Sequence, residues 1–249
     1  MKIKISLYIV VWVVLAGGFT SCNDWLDVSP KTYIPNDKMF DTEAGFKDAL
    51  TGVYLMMGST SLYAGDLSYA YLDELAGLYC DYPIRNNMNV FDQSMVFDYN
   101  NQFLDKRNGI YEKQYNLIAN LNNLLYEVDQ RGNELTSPGY REVIKGEALG
   151  LRAFLYFDLL RLYGPIYSER PKDLAIPYKT TFDNEPTPVL PANEVVAKIL
   201  EDLKVAEKLL EEKDSRDFFT PEDQRTAFLS NREFRMNVYA VKAMMARVY

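Results

Sequence analysis

Tyr79, Tyr82, Asn86, Asn87 and Phe91 bring aromatic rings and side-chain amides together in one short stretch, interrupted by Pro83. A flat ring can stack on the C–H face of a pyranose, while amides and carboxylates bond its hydroxyls, and tyrosine carries both a ring and a polar tip. The stretch therefore has the chemistry of a sugar-binding surface, the alternative being that the rings pack the loop onto its neighbours. A second chemical group is Cys22, which stands at the end of a small-residue run. A third is Asp73-Glu74, which could be one arm of a glycosidase carboxylate pair. Adjacent residues on a helix point about 100° apart, however, and nothing in the sequence marks a second catalytic acid. Histidine is absent, which removes Ser-His-Asp and Cys-His catalysis and every histidine-ligated metal site. Binding without a catalytic residue, metal or cofactor is the expectation.

Other side chains with polar chemistry have structural readings. Asn122 lies on an otherwise apolar stripe and should be a satisfied buried amide bonding a neighbouring backbone. Asp158 and Arg161 should pair, with Glu147 nearby. Arg152, alone on its face, should find a carboxylate on another helix. Cys80 reads as a small buried hydrophobe, and with Cys22 it makes no disulfide framework.

These groups need a scaffold, and its centre is YREVIKGEALGLRAFLYFDLLRLYGP, Tyr140 to Pro165. From Ala148 to Tyr163 only Arg152, Asp158 and Arg161 carry charge, so this helix is apolar nearly all round and must sit inside other elements. Gly146, Gly150, Ala153 and Phe157 share one stripe, whose small residues allow a neighbouring helix to approach closely. Gly164 should supply a left-handed cap before Pro165 stops the helix.

Around it the helical period appears at Phe46, Leu50, Val53 and Met57, with Asp41 or Thr42 as N-cap. It returns from Ile110 to Val128 and, strongly amphipathic, from Asn193 to Lys213. A last helix begins near Arg235. Leu67 to Tyr79 could be a helix within the long Gly58–Asn108 segment, the remainder an ordered loop. Tyr167 to Pro191 reads as a proline-punctuated connector and Ser215 to Glu233 as a polar loop. The helices fall into pairs, 110–130 with 140–163 and 193–213 with 235–249. The expected fold is all-α, with tetratricopeptide-like pairs and long ordered loops. Tyr249 arrives mid-helix without a cap, so the chain is expected to be the N-terminal part of a longer protein.

The chain has 249 residues and a net charge of −8, with 48% hydrophobic residues. That is ample for a packed core, and the acidic balance without clustered Lys and Arg argues against nucleic acid as a partner. Lys2 and Lys4 followed by the apolar Ile5–Ala16 make a secretory signal, the alternative being a short membrane anchor that stays on the protein. Phe19-Thr20-Ser21-Cys22 resembles the bacterial lipobox. The organisation is then a lipoprotein signal peptide at 1–21, an extended tether at 22–40 and a helical domain from 41 to 249.

Several segments in order resemble the SusD/RagB family of Bacteroidetes outer-membrane lipoproteins: Cys22-Asn23-Asp24-Trp25-Leu26-Asp27-Val28-Ser29-Pro30; Phe46 to Tyr54; Tyr111, Tyr115, Ile118 and Asn122; Glu147 to Gly164; Ala175-Ile176-Pro177; and Ala243 to Tyr249. The resemblance implies a cell-surface protein, lipid-anchored in the outer membrane through Cys22, that binds oligosaccharides and delivers them to a SusC-like TonB-dependent transporter. A peptide-binding member, or a scaffold of the transporter complex without its own ligand, are the alternatives. By position Tyr79, Tyr82, Asn86, Asn87 and Phe91 lie near that family's ligand-contacting aromatics, although no tryptophan stands there.

The mature protein should begin at Cys22 with a thioether-linked diacylglycerol. Mass spectrometry of the membrane-extracted protein checks this, and Cys22→Ala should abolish the lipid adduct.

Overall fold

The computed structural model describes residues 36–78, 101–214, 227–229 and 232–249. Residues 1–39 and 40–249 form separate compact units, and the described part of the first is a single-turn helix, α1 (Asn36–Met39). The second unit contains α2 (Glu43–Met57), α3 (Tyr71–Leu75), α4 (Asn101–Arg131), α5 (Tyr140–Tyr163), α6 (Ala192–Lys213) and α7 (Val238–Val248). Two short strands, β1 (Leu174–Pro177) and β2 (Val189–Pro191), lie between α5 and α6. Among the described residues no helix is long and apolar enough to cross a membrane.

Local chemistry sets the ends of these elements. Thr42 caps α2, its hydroxyl accepting from the Gly45 amide, and Phe46, Leu50 and Val53 then bury one face. Asn237 caps α7 by accepting from the Ala240 amide at 2.9 Å, which starts that helix three residues after Arg235. The helix expected over 67–79 contracts to the five residues of α3, because turns occupy 58–70 and Gly77 adopts a left-handed φ of 68°. Gly164 differs from expectation. Its φ is −86° and its ψ 174°, extended rather than left-handed. Glycine is needed there for space, since a Cβ would stand 2.5 Å from the Leu160 carbonyl oxygen.

α5 is the core. Val143, Ile144, Ala148, Leu151, Ala153, Leu155, Tyr156 and Leu159 leave almost no surface exposed on any side. Against it α4 runs antiparallel: Asp129 bonds Lys145, Asn122 bonds Arg152, and Tyr111 packs on Tyr163, so one number falls as the other rises. α6 is antiparallel on another side, with Leu210 and Ala206 against Gly146 and Asp202 against Arg152. α7 packs beside α6, bridged by Lys242 to Glu207 and Glu211, and runs with α5, Val241 lying near Gly150 and Arg247 over the Phe157 ring. These are the paired, layered helices of a tetratricopeptide-like all-α fold.

The proline-punctuated connector holds regular structure after all. β1 and β2 pair antiparallel with Leu174 opposite Pro191 and Pro177 opposite Val189, around a bulge between Leu174 and Ile176. A two-stranded ladder tolerates proline because each strand has a free edge.

The close approach at Gly146 is testable. A Cβ there would meet Leu210 Cγ at 2.7 Å and the Ala206 carbonyl at 3.4 Å. Gly146→Leu should therefore lose about 1–3 kcal/mol through overpacking, read from urea unfolding curves; an unchanged midpoint would mean that α5 and α6 stand farther apart.

Candidate functional site

The central helix carries three buried charged groups, each answered by a different set of neighbours. Asp158 accepts from the Tyr63 hydroxyl at 2.9 Å and from Arg161 at 2.8 Å. Gln114 donates to the same tyrosine hydroxyl at 3.3 Å, and the Tyr63 ring packs on Phe154. Burial and then the adjacent Asp158 charge push the Tyr63 hydroxyl far above its ordinary pKa, so it remains a proton donor. With Lys106–Asp66 at 2.8 Å and Lys113 donating to Ser61 at 2.6 Å, these bonds fasten the 58–78 turns to α4 and α5. That segment is the root of the aromatic stretch.

Arg152 lies between α4, α6 and the strand region. Its guanidinium grips Asp202 with two bonds of 2.7 and 2.8 Å and donates to the Asn122 side-chain oxygen Oδ1 at 2.9 Å. Burial works against the charge, but the Asp202 bonds outweigh it and raise the Arg152 pKa. Tyr178 donates to Asp202 at 2.7 Å, and its ring stacks on Tyr156 with centroids 3.8 Å apart. The Tyr156 hydroxyl donates to the Lys179 carbonyl and accepts from the Lys179 amide, both at 2.7 Å. Asn122 donates to the Lys179 carbonyl at 3.0 Å. The expected carboxylate for Arg152 and the backbone partner for Asn122 are both present.

Glu147 does not join Asp158 and Arg161. It is fully buried and accepts from Tyr54 on α2 at 2.7 Å, from Arg235 at 3.1 Å and from Arg232. Arg232 also holds Asp214 by bonds of 2.7 and 2.9 Å, and Asp214 accepts from the Val238 amide at 3.1 Å. Glu147 sits eleven positions before Asp158, and the three arginine and tyrosine partners come from segments far apart in sequence. The polar reading of 215–233 gave no sign that Arg232 is among the most buried side chains.

Between β1 and β2 the turn from Lys179 to Glu185 is braced by its own side chains. Lys179 Nζ donates to Asp183 at 2.5 Å and to the Glu185 carbonyl at 2.6 Å, and the Glu185 amide donates to Asp183 at 2.9 Å. The Lys179 bond, with Thr181 and the Glu185 amide, lowers the Asp183 pKa to about 2; salt would weaken this on so exposed a group. The turn leans on α4 and bounds two clefts. One, about 270 Å³, lies beside Tyr115, Ile118 and Asn122. The other, about 500 Å³, has Leu125 and Leu149 in its walls with Tyr126 and Phe182. The arrangement offers rings, amides and paired charges on a rigid base, which suits binding of a polar ligand with apolar faces.

Tyr79, Tyr82, Asn86, Asn87 and Phe91 lie outside the described residues, as do Cys22 and Cys80. Asp73 and Glu74 fall on α3, where Glu74 is buried.

A SusD-like family model, described as starch-binding and associating with the outer membrane, matches residues 24–249. A SusD-like protein of Formosa agariphila is 27% identical over 172 residues, covering 65% of this chain and 31% of that relative. Among solved structures, a SusD-like carbohydrate binding protein of Bacteroides vulgatus superposes with a TM-score of 0.62 at 21% identity, covering 83% of this chain and 41% of that one. A SusD homologue of Bacteroides thetaiotaomicron gives 0.62 at 19% identity, covering 89% and 38%. The chain thus spans less than half the length of each of these relatives.

Removing one partner of a buried pair strands the other charge. Asp202→Ala should lose about 3–5 kcal/mol in thermal or denaturant unfolding, whereas Arg152→Met with Asp202→Leu should restore most of it; equal losses in both variants would contradict this account of the pair.

Proposed function

This chain belongs to the SusD-like family, and on that premise we propose that it captures oligosaccharides at the bacterial cell surface and delivers them to a SusC-like TonB-dependent outer-membrane transporter. The observation that carries this reading is the family match over residues 24–249, described as starch-binding and outer-membrane-associating.

Membrane association follows from lipid on Cys22, each buried methylene contributing about 0.8 kcal/mol. Two or three acyl chains on one residue would then hold the protein at the surface while its helical domain stays in water. Ligand contact is assigned to Tyr79, Tyr82, Asn86, Asn87 and Phe91. The root of that segment is tied to α4 and α5 through Tyr63, Asp66 and Ser61. A firm root suits this role, because fixing one end of a segment lowers the entropy lost when it closes on a sugar.

Capture rather than cleavage is the reading for the site chemistry. A glycosidase needs two carboxyl groups flanking one bond. Glu74 is buried and Asp73 is its immediate neighbour, so the pair has no geometry for two sides of a substrate.

In the whole protein, Tyr79→Ala with Tyr82→Ala should weaken oligosaccharide binding in calorimetric titrations while stability stays within about 1–2 kcal/mol. Unchanged affinity would remove the loop from the site. New reducing ends on incubation with the glycan would replace capture by catalysis.

A further inference from the structure

The larger cleft beside the braced turn has features that packing alone does not require. Tyr126 on α4 and Phe182 in the turn come from separate elements, line the same groove, and remain 55% and 53% exposed. Exposed rings that line one concavity are apolar surface left in water, which marks interaction sites when it clusters. Leu125 and Leu149 add aliphatic surface to the same lining. A volume of about 500 Å³ lies within the roughly 300–1,000 Å³ range of small-molecule sites.

Charge narrows the ligand class. Lys145 and Arg152 are the cations lining the groove. Lys145 is bridged to Asp129, and Arg152 to Asp202 at 2.7 Å. The other carboxylate in the wall, Asp183, is bridged to Lys179 at 2.5 Å. Each ionic group is thus matched, and the groove presents no excess of either sign to a phosphate, a sulfate or a uronate. It presents rings, aliphatic surface and carboxylate oxygens that can accept further bonds. An uncharged molecule with apolar C–H faces and many hydroxyl donors complements that surface.

The walls are also held before any ligand arrives. Asn122 bonds the carbonyls of Lys179 and Thr181 at 3.0 and 3.4 Å, and Tyr156 clamps Lys179 from below. Ordering costs on binding are correspondingly small. Phe182 and Asp183 are shared with the smaller cleft beside Tyr115, so the two concavities adjoin across one turn.

We infer that the groove bounded by Tyr126 and Phe182 is a second oligosaccharide-binding site, built from residues other than those of the Tyr79–Phe91 stretch, which takes a neutral sugar by stacking on the two rings. This rests on the glycan-binding reading above and adds to it a location and a preference for uncharged glycan.

The test is calorimetric titration of the whole protein with a panel of neutral oligosaccharides that includes maltoheptaose, and with oligogalacturonate as the charged counterpart. Tyr126→Ala with Phe182→Ala should lower the affinity for the bound neutral glycan by about tenfold, a loss of ~1.4 kcal/mol, or remove one of two binding events. Tyr126→Phe with Phe182→Tyr, which keeps both rings, should restore it. Unfolding midpoints of both variants should match the parent, because the rings are largely exposed. If the alanine variant binds as the parent does while Tyr79→Ala with Tyr82→Ala does not bind, the groove is overturned and the capture function stands. If the parent binds no neutral glycan at all, both readings fall. A groove-dependent preference for oligogalacturonate would overturn the assignment of an uncharged ligand.

Discussion

A helix buried on every side cannot leave its charged side chains in water, and this constraint governs how the rest of the chain is placed around α5. Glu147, Arg152 and Asp158 point into three different surroundings, and each must be met by an opposite charge or by donors. Glu147 receives Tyr54, Arg232 and Arg235; Arg152 receives Asp202 and Asn122; Asp158 receives Tyr63 and Arg161. Replacing such pairs by apolar residues often costs nothing, whereas orphaning one member costs several kcal/mol. Their effect is thus to penalise wrong neighbours, since any other register along α5 would bury an unmatched charge.

Each charge also fixes a different irregular segment. Asp158 holds the turns that lead into the aromatic stretch. Arg152 and Asn122 hold Tyr178 and Lys179, from which the braced turn and its clefts project. Glu147 holds the 232–236 segment that leads into α7. Irregular segments keep their geometry when they are rooted on a rigid scaffold, and here one helix supplies anchorage for all three. The glycines at 146 and 150 complete the scheme by letting α6 and the start of α7 come close enough for short bonds.

Aromatic residues serve two purposes that sequence position does not separate. Tyr54, Tyr63, Tyr156 and Tyr178 spend their hydroxyls on buried acceptors or on backbone, and burial raises the pKa of each. They join helices. Tyr126 and Phe182 stay largely exposed, at the rim of a groove. The same residue types act as internal fasteners in one place and as surface in the other, according to whether a buried acceptor or open solvent faces them.

Local pattern carried the helices because burial along one helix repeats with the helix's own period: Tyr140–Tyr163 was readable from its unbroken apolar run and α6 from its amphipathic stripe. Asn122 and Arg152 were readable too, for a polar group on an apolar face has few solutions. What pattern could not supply was the identity of distant partners. Glu147 looks like a neighbour of Asp158 and Arg161 on a helical wheel, yet its arginines come from more than eighty residues away, one of them from a segment that reads as a polar loop. The β1–β2 pairing has the same origin, since two short proline-bearing runs become a ladder only when α5 and α6 hold them together. The sequence by itself determined the main helices though not all of their ends (the one read from Ile110 begins at Asn101), their pairing and the need to neutralise three buried charges; only the tertiary structure decided which residues neutralise them and which rings remain at the surface, because those choices depend on contacts between segments that no local period records.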